Sequence, residues 1–193
     1  MILIKTKAEL RDAIRRDRKR YKITRKQYYI GLLRKRDESH AIRLLYYLRM
    51  CEYLYNNSSN SFLMKLAYRY YSYRYSRLEF YYDTHIAINT VEPGLWIPHM
   101  GGIIINCKSM GANCSVNKGT VIGNKAGQEN RAVIGDNCYF LLGSKIIGGV
   151  CIGSNVIVCQ NSVVVKDVDN NTIVCGIPAK VIKKFDDINM LNL

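Results

Sequence analysis

The stretch IGDNCYFLLGSKIIGGVCIGSNVIVCQNSVVVKDV, Ile134 to Val168, decides the fold. Ile134, Phe140, Ile146, Ile152, Val158 and Val164 recur every six residues without a slip. Four positions after each stands Cys138, Ser144, Val150, Val156, Ser162 or Val168, all small or β-branched. A helix places apolar side chains at spacings of three and four, not at an unbroken six. A single strand alternates in twos and ends sooner. A six-residue repeat with one large apolar residue, one small inward residue and turn formers between them predicts a parallel β-helix. Each repeat is one short flat side, and Gly or Asn turns the corners where φ is positive.

Upstream, Val91, Ile97 and Ile103 keep the same step. One extra residue then shifts the phase, and Met110, Val116 and Ile122 continue in sixes. A step of twelve to Ile134 leaves one repeat interrupted by the polar segment 124–132. Insertions in a solenoid form loops on one face, often the functional face. Downstream, Asp169-Asn170-Asn171 makes a turn and residues 172–182 close the coil. The expected organisation is a helical N-terminal domain over 1–82, a β-helix over 83–184 and a tail over 185–193. The fold class is mainly β.

Residues 1–82 have a different composition, rich in Lys, Arg and Tyr, with Gly31 the one glycine. Thr6-Lys7-Ala8-Glu9 reads as a capping box opening a basic helix to about Tyr21. Further helices are expected over 26–36, 40–55 and 61–80, the third with Ala41, Leu44, Leu45, Leu48 and Cys51 on its apolar face. Two readings compete for this half. It is a cap that packs on the β-helix and mediates assembly, its cations solvated. Or it docks on an anionic membrane or polymer. Basic residues interleaved with aromatics suit stacking on bases, but no nucleic-acid motif is present.

The chain of 193 residues carries a formal charge of +14 and a pI near 9.5, which attracts anionic partners. No apolar run is long enough to span a bilayer, and Met1-Ile2-Leu3-Ile4-Lys5 is too short for a signal peptide. The expected location is cytoplasmic, with room for a peripheral place at the inner membrane face. Seven cysteines, an odd number, read as reduced, buried small hydrophobes. No Cys or His spacing suggests a metal.

The candidate chemistry sits in Ile97-Pro98-His99-Met100-Gly101-Gly102-Ile103. His99 follows the inward Ile97 by two, which sets it at a corner. Gly101 and Gly102 leave the neighbouring surface bare, so a ligand can approach the backbone. A corner histidine over a glycine floor suits a general base near pH 7; the plain alternative is a surface histidine with no role. Trp96 beside it reads as packing in a groove, with sugar stacking the lesser reading. His40, inside a helical segment, reads as structural.

His99-x-Gly101-Gly102, then Gly119-Thr120-Val121-Ile122-Gly123-Asn124, then Gly176-Ile177-Pro178-Ala179-Lys180 resemble the left-handed β-helix (hexapeptide-repeat) acyltransferases. The match is to their serine acetyltransferase-like group, and closest to the members that O-acetylate sugars of capsule or exopolysaccharide. It covers about residues 83–184. The resemblance implies a homotrimer with acetyl-CoA in the groove between subunits; the N-terminal helices are the candidate for any higher assembly. It implies His99 as the base that takes the acceptor's proton. It implies acetyl-CoA contacts at Gly119, Thr120, Gly123, Asn124, Gly143 and Ser144, with Lys166, Lys180 and Lys183 as cations for the phosphates.

Two departures bear on the acceptor. The family's aspartate partner to the histidine is matched by Thr84, with Asp83 and His85 beside it as substitutes. A family histidine tied to serine binding is matched by Arg131 or Asn130. Trp96, Gly101, Gly102, Glu129 and Arg131 are the expected acceptor contacts. The expectation is therefore an acetyl-CoA-dependent O-acetyltransferase acting on a sugar or glycan, without a metal. Serine O-acetylation is the alternative, and a non-catalytic assembly or polyanion-binding module is the alternative of another class. A zinc hydratase on the same fold needs three converging histidines; His40 lies in the helical half, which sets that reading aside.

Overall fold

The computed structural model describes residues 3–125 and 130–186. Four helices come first: α1 (Lys7–Lys19), α2 (Arg25–Leu33), α3 (Asp37–Asn56) and α4 (Phe62–Tyr82). α1 opens on the expected capping box: the Thr6 hydroxyl accepts from the Glu9 N–H and the Glu9 carboxylate accepts from the Thr6 N–H. Thr24 and Gln27 form a second such box, unnoticed in the sequence, which starts α2 at Arg25. α3 starts three residues earlier than expected, because Asp37 and Glu38 suit the positive end of a helix.

From Thr84 the chain winds into a parallel β-helix with three flat sides. One side stacks Thr84–Ile86, Ile103–Ile105, Val121–Gly123, Lys145–Ile147 and Val163–Val164. The second stacks Ser115–Val116, Tyr139–Phe140, Ile157–Val158 and Thr172–Gly176, and the third Ser109–Met110, Val133–Ile134 and Cys151–Ile152. The last strand, Ala179–Lys184, turns back antiparallel on Thr172–Gly176 and ends the stack. Ile134 pairs with Ile152, Phe140 with Val158 and Ile146 with Val164, so one regular coil is eighteen residues, three sixes. All six of these large residues are buried, and so are all six small partners from Cys138 to Val168. The inserted segment adds six residues to one coil: Met110 pairs with Ile134 twenty-four positions on.

The position of the rhythm break needs correcting. Ile122 lies in register with Ile105, not with Ile103, while Val91 bridges to Met110 and Trp96 to Ser115. The step between equivalent inward residues is therefore eight from Ile97 to Ile105, against six from Val116 to Ile122. The two surplus residues fall in Pro98–Gly102, the corner that carries His99. Ile103, also buried, stands in the column of small inward residues with Thr84, Thr120, Ser144 and Ser162. Sequence spacing could not separate Ile103 from Ile105, because both are isoleucine and both point inward.

The helices are not a separate body. Leu44, Leu45 and Leu48 of α3 and Tyr75, Leu78 and Tyr82 of α4 share one core with Ile86, Leu95 and Ile97 of the first coil. A side chain such as Leu44, fully buried, contributes roughly 1.5–3 kcal/mol. A polar clasp locks the same junction. The buried Arg49 of α3 donates to Asp17 of α1 at 2.7 Å, to Glu52 at 2.9 Å and to the Val91 and Glu92 carbonyls at 2.7 and 3.2 Å. Asp17 also accepts from the Gly94 and Leu95 N–H groups at 2.7 and 3.2 Å. Burial opposes the Arg49 charge, but Asp17 and Glu52 more than offset it and keep the guanidinium protonated. Burial holds the Glu52 carboxyl above its usual range even beside Arg49.

The expectation of buried cysteines holds for Cys51, Cys107, Cys114 and Cys138 and fails for three others. Cys151 is exposed and Cys159 and Cys175 are half-buried, because each is an outward neighbour of an inward residue in the alternation.

Candidate active site

His99 projects from the widened corner, 62% exposed. Its Nδ1 lies 3.5 Å from Oδ2 of Asp37, the first residue of α3. That carboxylate comes from sixty-two positions upstream in sequence, so no local spacing could reveal it. Asp83 does not take this place. It caps α4 in the left-handed conformation, and its carboxylate accepts from the Gly102 N–H at 2.8 Å. His85 lies on the other flank of α4, its Nδ1 3.9 Å from Glu79. Burial raises the Glu79 carboxyl against its hydrogen bond from the Ile86 N–H. Thr84 points into the coil, its hydroxyl bonded to the Tyr82 carbonyl. The structure thus sets a carboxylate beside His99, but supplies it from the helices.

The glycines form a continuous floor. Gly102, Gly119 and Gly143 occupy one corner of three successive coils, all with positive φ. A Cβ on Gly102 would meet Gly119 Cα at 3.4 Å, and one on Gly119 would meet Gly143 Cα at 3.4 Å. The Gly119 N–H donates to the Gly101 carbonyl at 2.9 Å and ties the column together. His99 stands at the first step of this glycine strip, where the Gly119 carbonyl accepts from the Lys145 ammonium. Asn161 continues the column one coil on and ends the bare run.

Other expected contacts are placed differently. Thr120 and Ser144 face inward, fully buried, their hydroxyls 3.3 Å apart. Their backbone groups are also spent: the Thr120 carbonyl accepts from Ile104 and the Ser144 carbonyl from Val121. They build the coil and present nothing at its surface. Gly123 accepts from the Gly148 N–H, and Asn124 beside it is exposed. Lys166, Lys180 and Lys183 are exposed, the last two on the closing hairpin. Trp96 is half-buried with the Arg20 guanidinium 5.7 Å from its ring centroid, so one ring face is already covered. Arg131 is exposed, and its charge partly offsets the burial that pushes the Cys107 thiol up to about 11. Glu129 lies outside the described residues.

No family model matches the chain. In sequence it is similar to the serine acetyltransferase of Staphylococcus epidermidis strain ATCC 35984, 37% identical over 93 residues, 47% of this chain and 44% of that protein. The serine acetyltransferase of Staphylococcus aureus strain Mu50 is 33% identical over the same length. The chain spans about half the length of the curated relatives it matches. In structure it is similar to Neisseria gonorrhoeae serine acetyltransferase, with a TM-score of 0.69 at 23% identity, covering 95% of this chain and 69% of that one. Soybean serine acetyltransferase gives a TM-score of 0.67 at 22% identity, covering 91% and 69%.

The fold is the one these solved structures share, a left-handed parallel β-helix with an N-terminal helical region. The chain is similar to the serine acetyltransferase-like group of hexapeptide-repeat acyltransferases. The expected closeness to capsule and exopolysaccharide enzymes is not found, and the expected sugar acceptor is overturned: the relatives and neighbours above are serine acetyltransferases. The sugar expectation rests on a family histidine matched here by Arg131 or Asn130, with Glu129 and Arg131 in the inserted loop. A guanidinium complements a carboxylate, which an amino acid has and a neutral sugar hydroxyl lacks.

Proposed function

We propose that this chain moves the acetyl group of acetyl-CoA to the hydroxyl of serine. The observation that carries the reading is the 37% identity of nearly half the chain to a serine acetyltransferase. His99 is the general base. It takes the hydroxyl proton as the oxygen attacks the thioester carbonyl, and returns it to the thiolate as the C–S bond breaks. Asp37 stabilises the imidazolium and fixes the ring through Nδ1. Arg131 receives the serine carboxylate, and the Gly102–Gly119–Gly143 strip lets the pantetheine arm lie close to the backbone. Lys166, Lys180 and Lys183 offer charge to the phosphates. We read transfer as direct; burial pushes the Cys107 thiol up to about 11, which leaves it a poor nucleophile near neutral pH.

The assembly we infer is a homotrimer, with the acetyl-CoA groove between neighbouring coils and the helices of 1–82 as a cap. The test is release of CoA thiol with serine as acceptor, and detection of O-acetylserine by mass spectrometry. The expected result is turnover that falls on the order of 10²–10⁴-fold in His99→Ala, with assembly unchanged. Serine left unmodified by the parent protein would overturn the acceptor. Full activity in His99→Ala would overturn the base.

A further inference from the structure

Almost all the charge of this chain lies in its helical half. Residues 1–82 hold twenty Lys and Arg against seven Asp and Glu, a net of +13 out of +14. α4 spends that charge in an unusual way. Its inner face buries Tyr75, Leu78 and Tyr82, as a helix on a core should. Its outer face is apolar as well: Phe62, Leu63, Leu66, Tyr70, Tyr73 and Phe80 are all exposed, Phe62 at 79% and Phe80 at 86%. At 100° per residue these six fall within about one third of the helix circumference. Lys65, Arg69 and Arg77 are exposed on the same side, and the one acid of α4, Glu79, faces His85 and Ile86 instead.

This face continues into a cleft of about 640 Å³ between α4, α3 and the end of α2. Lys35, Arg43, Arg74 and Arg77 line it, and none of its lining residues is a carboxylate. Leu78 and Tyr82 contribute apolar surface, and Leu33, 86% exposed, stands at its margin. The guanidiniums are held by aromatic rings and not by acids: Arg74 lies over Tyr47 and Arg77 over Tyr73. A patch of bare apolar side chains this long is uncommon on a protein surface with nothing to cover it.

We propose that the outer face of α4 and this cleft dock on an anionic phospholipid bilayer, with the cleft taking the headgroup phosphates and the apolar side chains entering the interface. Charge selects among the possible occupants. A two-fold pairing of this face with a second copy would set cations against cations, with no acid on the face to relieve them. A soluble polyanion would satisfy the arginines but leave Phe62, Leu63, Leu66 and Phe80 in water. A bilayer surface with acidic lipids satisfies both sets at once. The docking is independent of the acceptor identity and does not use His99, Asp37 or the glycine strip.

The test is flotation of the full-length protein with phosphatidylcholine vesicles, with and without phosphatidylglycerol. The expected result is capture only by the acidic vesicles, weakened by added salt. Arg74→Gln with Arg77→Gln lowers partitioning about 25-fold, roughly fivefold for each cation, while the Lys pair at both positions retains it. Leu33→Ser with Phe80→Ser lowers it roughly tenfold. Both double variants keep the circular dichroism and acetyl-transfer rate of the parent. Three results would overturn the proposal. One is failure to float with acidic vesicles, or equal capture by neutral ones. The second is lipid-free self-association that Leu33→Ser with Phe80→Ser abolishes, which assigns the face to a second copy. The third is retention on a lipid-free polyanion that the apolar variants leave unchanged and that competes fully with vesicles.

Discussion

Replacing Arg49 with Met removes the buried cation that joins three structural parts: α1, α3 and the first coil. Two carboxylates lose their partner, Asp17 at 4% exposure and Glu52 at 2%. The Val91 and Glu92 carbonyls lose a donor as well. Breaking one side of a buried pair costs about 3–5 kcal/mol, because the other charge stays buried without compensation. Domain stabilities are about 5–15 kcal/mol, so the variant gives up roughly a fifth or more of what holds it folded. The loss depends on pH in a definite direction. Burial already raises Glu52 above 4.5, with Arg49 opposing the rise. A carboxyl whose folded pKa is raised stabilises below its unfolded pKa and loses that contribution as pH climbs through the folded value. Without Arg49 the folded value rises further, and the window over which stability is lost widens upward. Arg49→Met is therefore penalised less at pH 5 than at pH 8. The assay is urea unfolding followed by circular dichroism at both pH values, at one fixed protein concentration. The triple variant Asp17→Asn, Arg49→Met, Glu52→Gln should recover much of the loss, since it strands no charge. A penalty under about 1 kcal/mol, or one that grows as pH falls, would refute this account of the clasp.

Asp37→Asn should lower kcat by about fivefold and leave the KM for acetyl-CoA unchanged, because the His99–Asp37 pair is largely exposed and such pairs contribute up to about 1 kcal/mol; a loss as deep as that of His99→Ala in steady-state kinetics would contradict this. Gly135→Ala should destabilise by about 1–3 kcal/mol in thermal unfolding, since the new Cβ would lie 2.7 Å from the Ser154 backbone nitrogen of the next coil. Alkylation at pH 7.5 followed by peptide mass spectrometry should modify the exposed Cys151 first and spare Cys51 and Cys107, whose thiols burial pushes up to about 12 and about 11.

The coil was legible because its interior repeats with the period of its own geometry. Every large residue from Ile134 to Val164 that the six-residue step marked is buried. Helix starts were legible where a side chain caps them, as at Thr6, and misplaced at α3, where two acids act through the helix dipole alone. The candidate corner is legible through His99 and its glycines. Its partner is not, because Asp37 reaches it through the packing of α3 on the first coil, a contact with no local pattern. Thr120 and Ser144 count as acetyl-CoA contacts only by their place in the family motif; the six-residue phase, followed strictly, places both inside. The sugar expectation follows from the lost family histidine with Glu129 and Arg131 in the loop; a guanidinium also suits a carboxylate, so that substitution does not decide between a sugar and an amino acid.

The widened corner at Pro98–Gly102 has a mechanical consequence. Two residues are added there, yet Ile105 returns to register above Ile86 and below Ile122. The hydrogen-bond ladder on either side does not register the insertion, so the corner acts as an expansion joint in a rigid column. Segments of other lengths can be spliced between Ile97 and Gly102 without moving the rungs that bound them. His99, the base proposed for this chain, is mounted on a corner whose length can change while the coils beyond it stay in register.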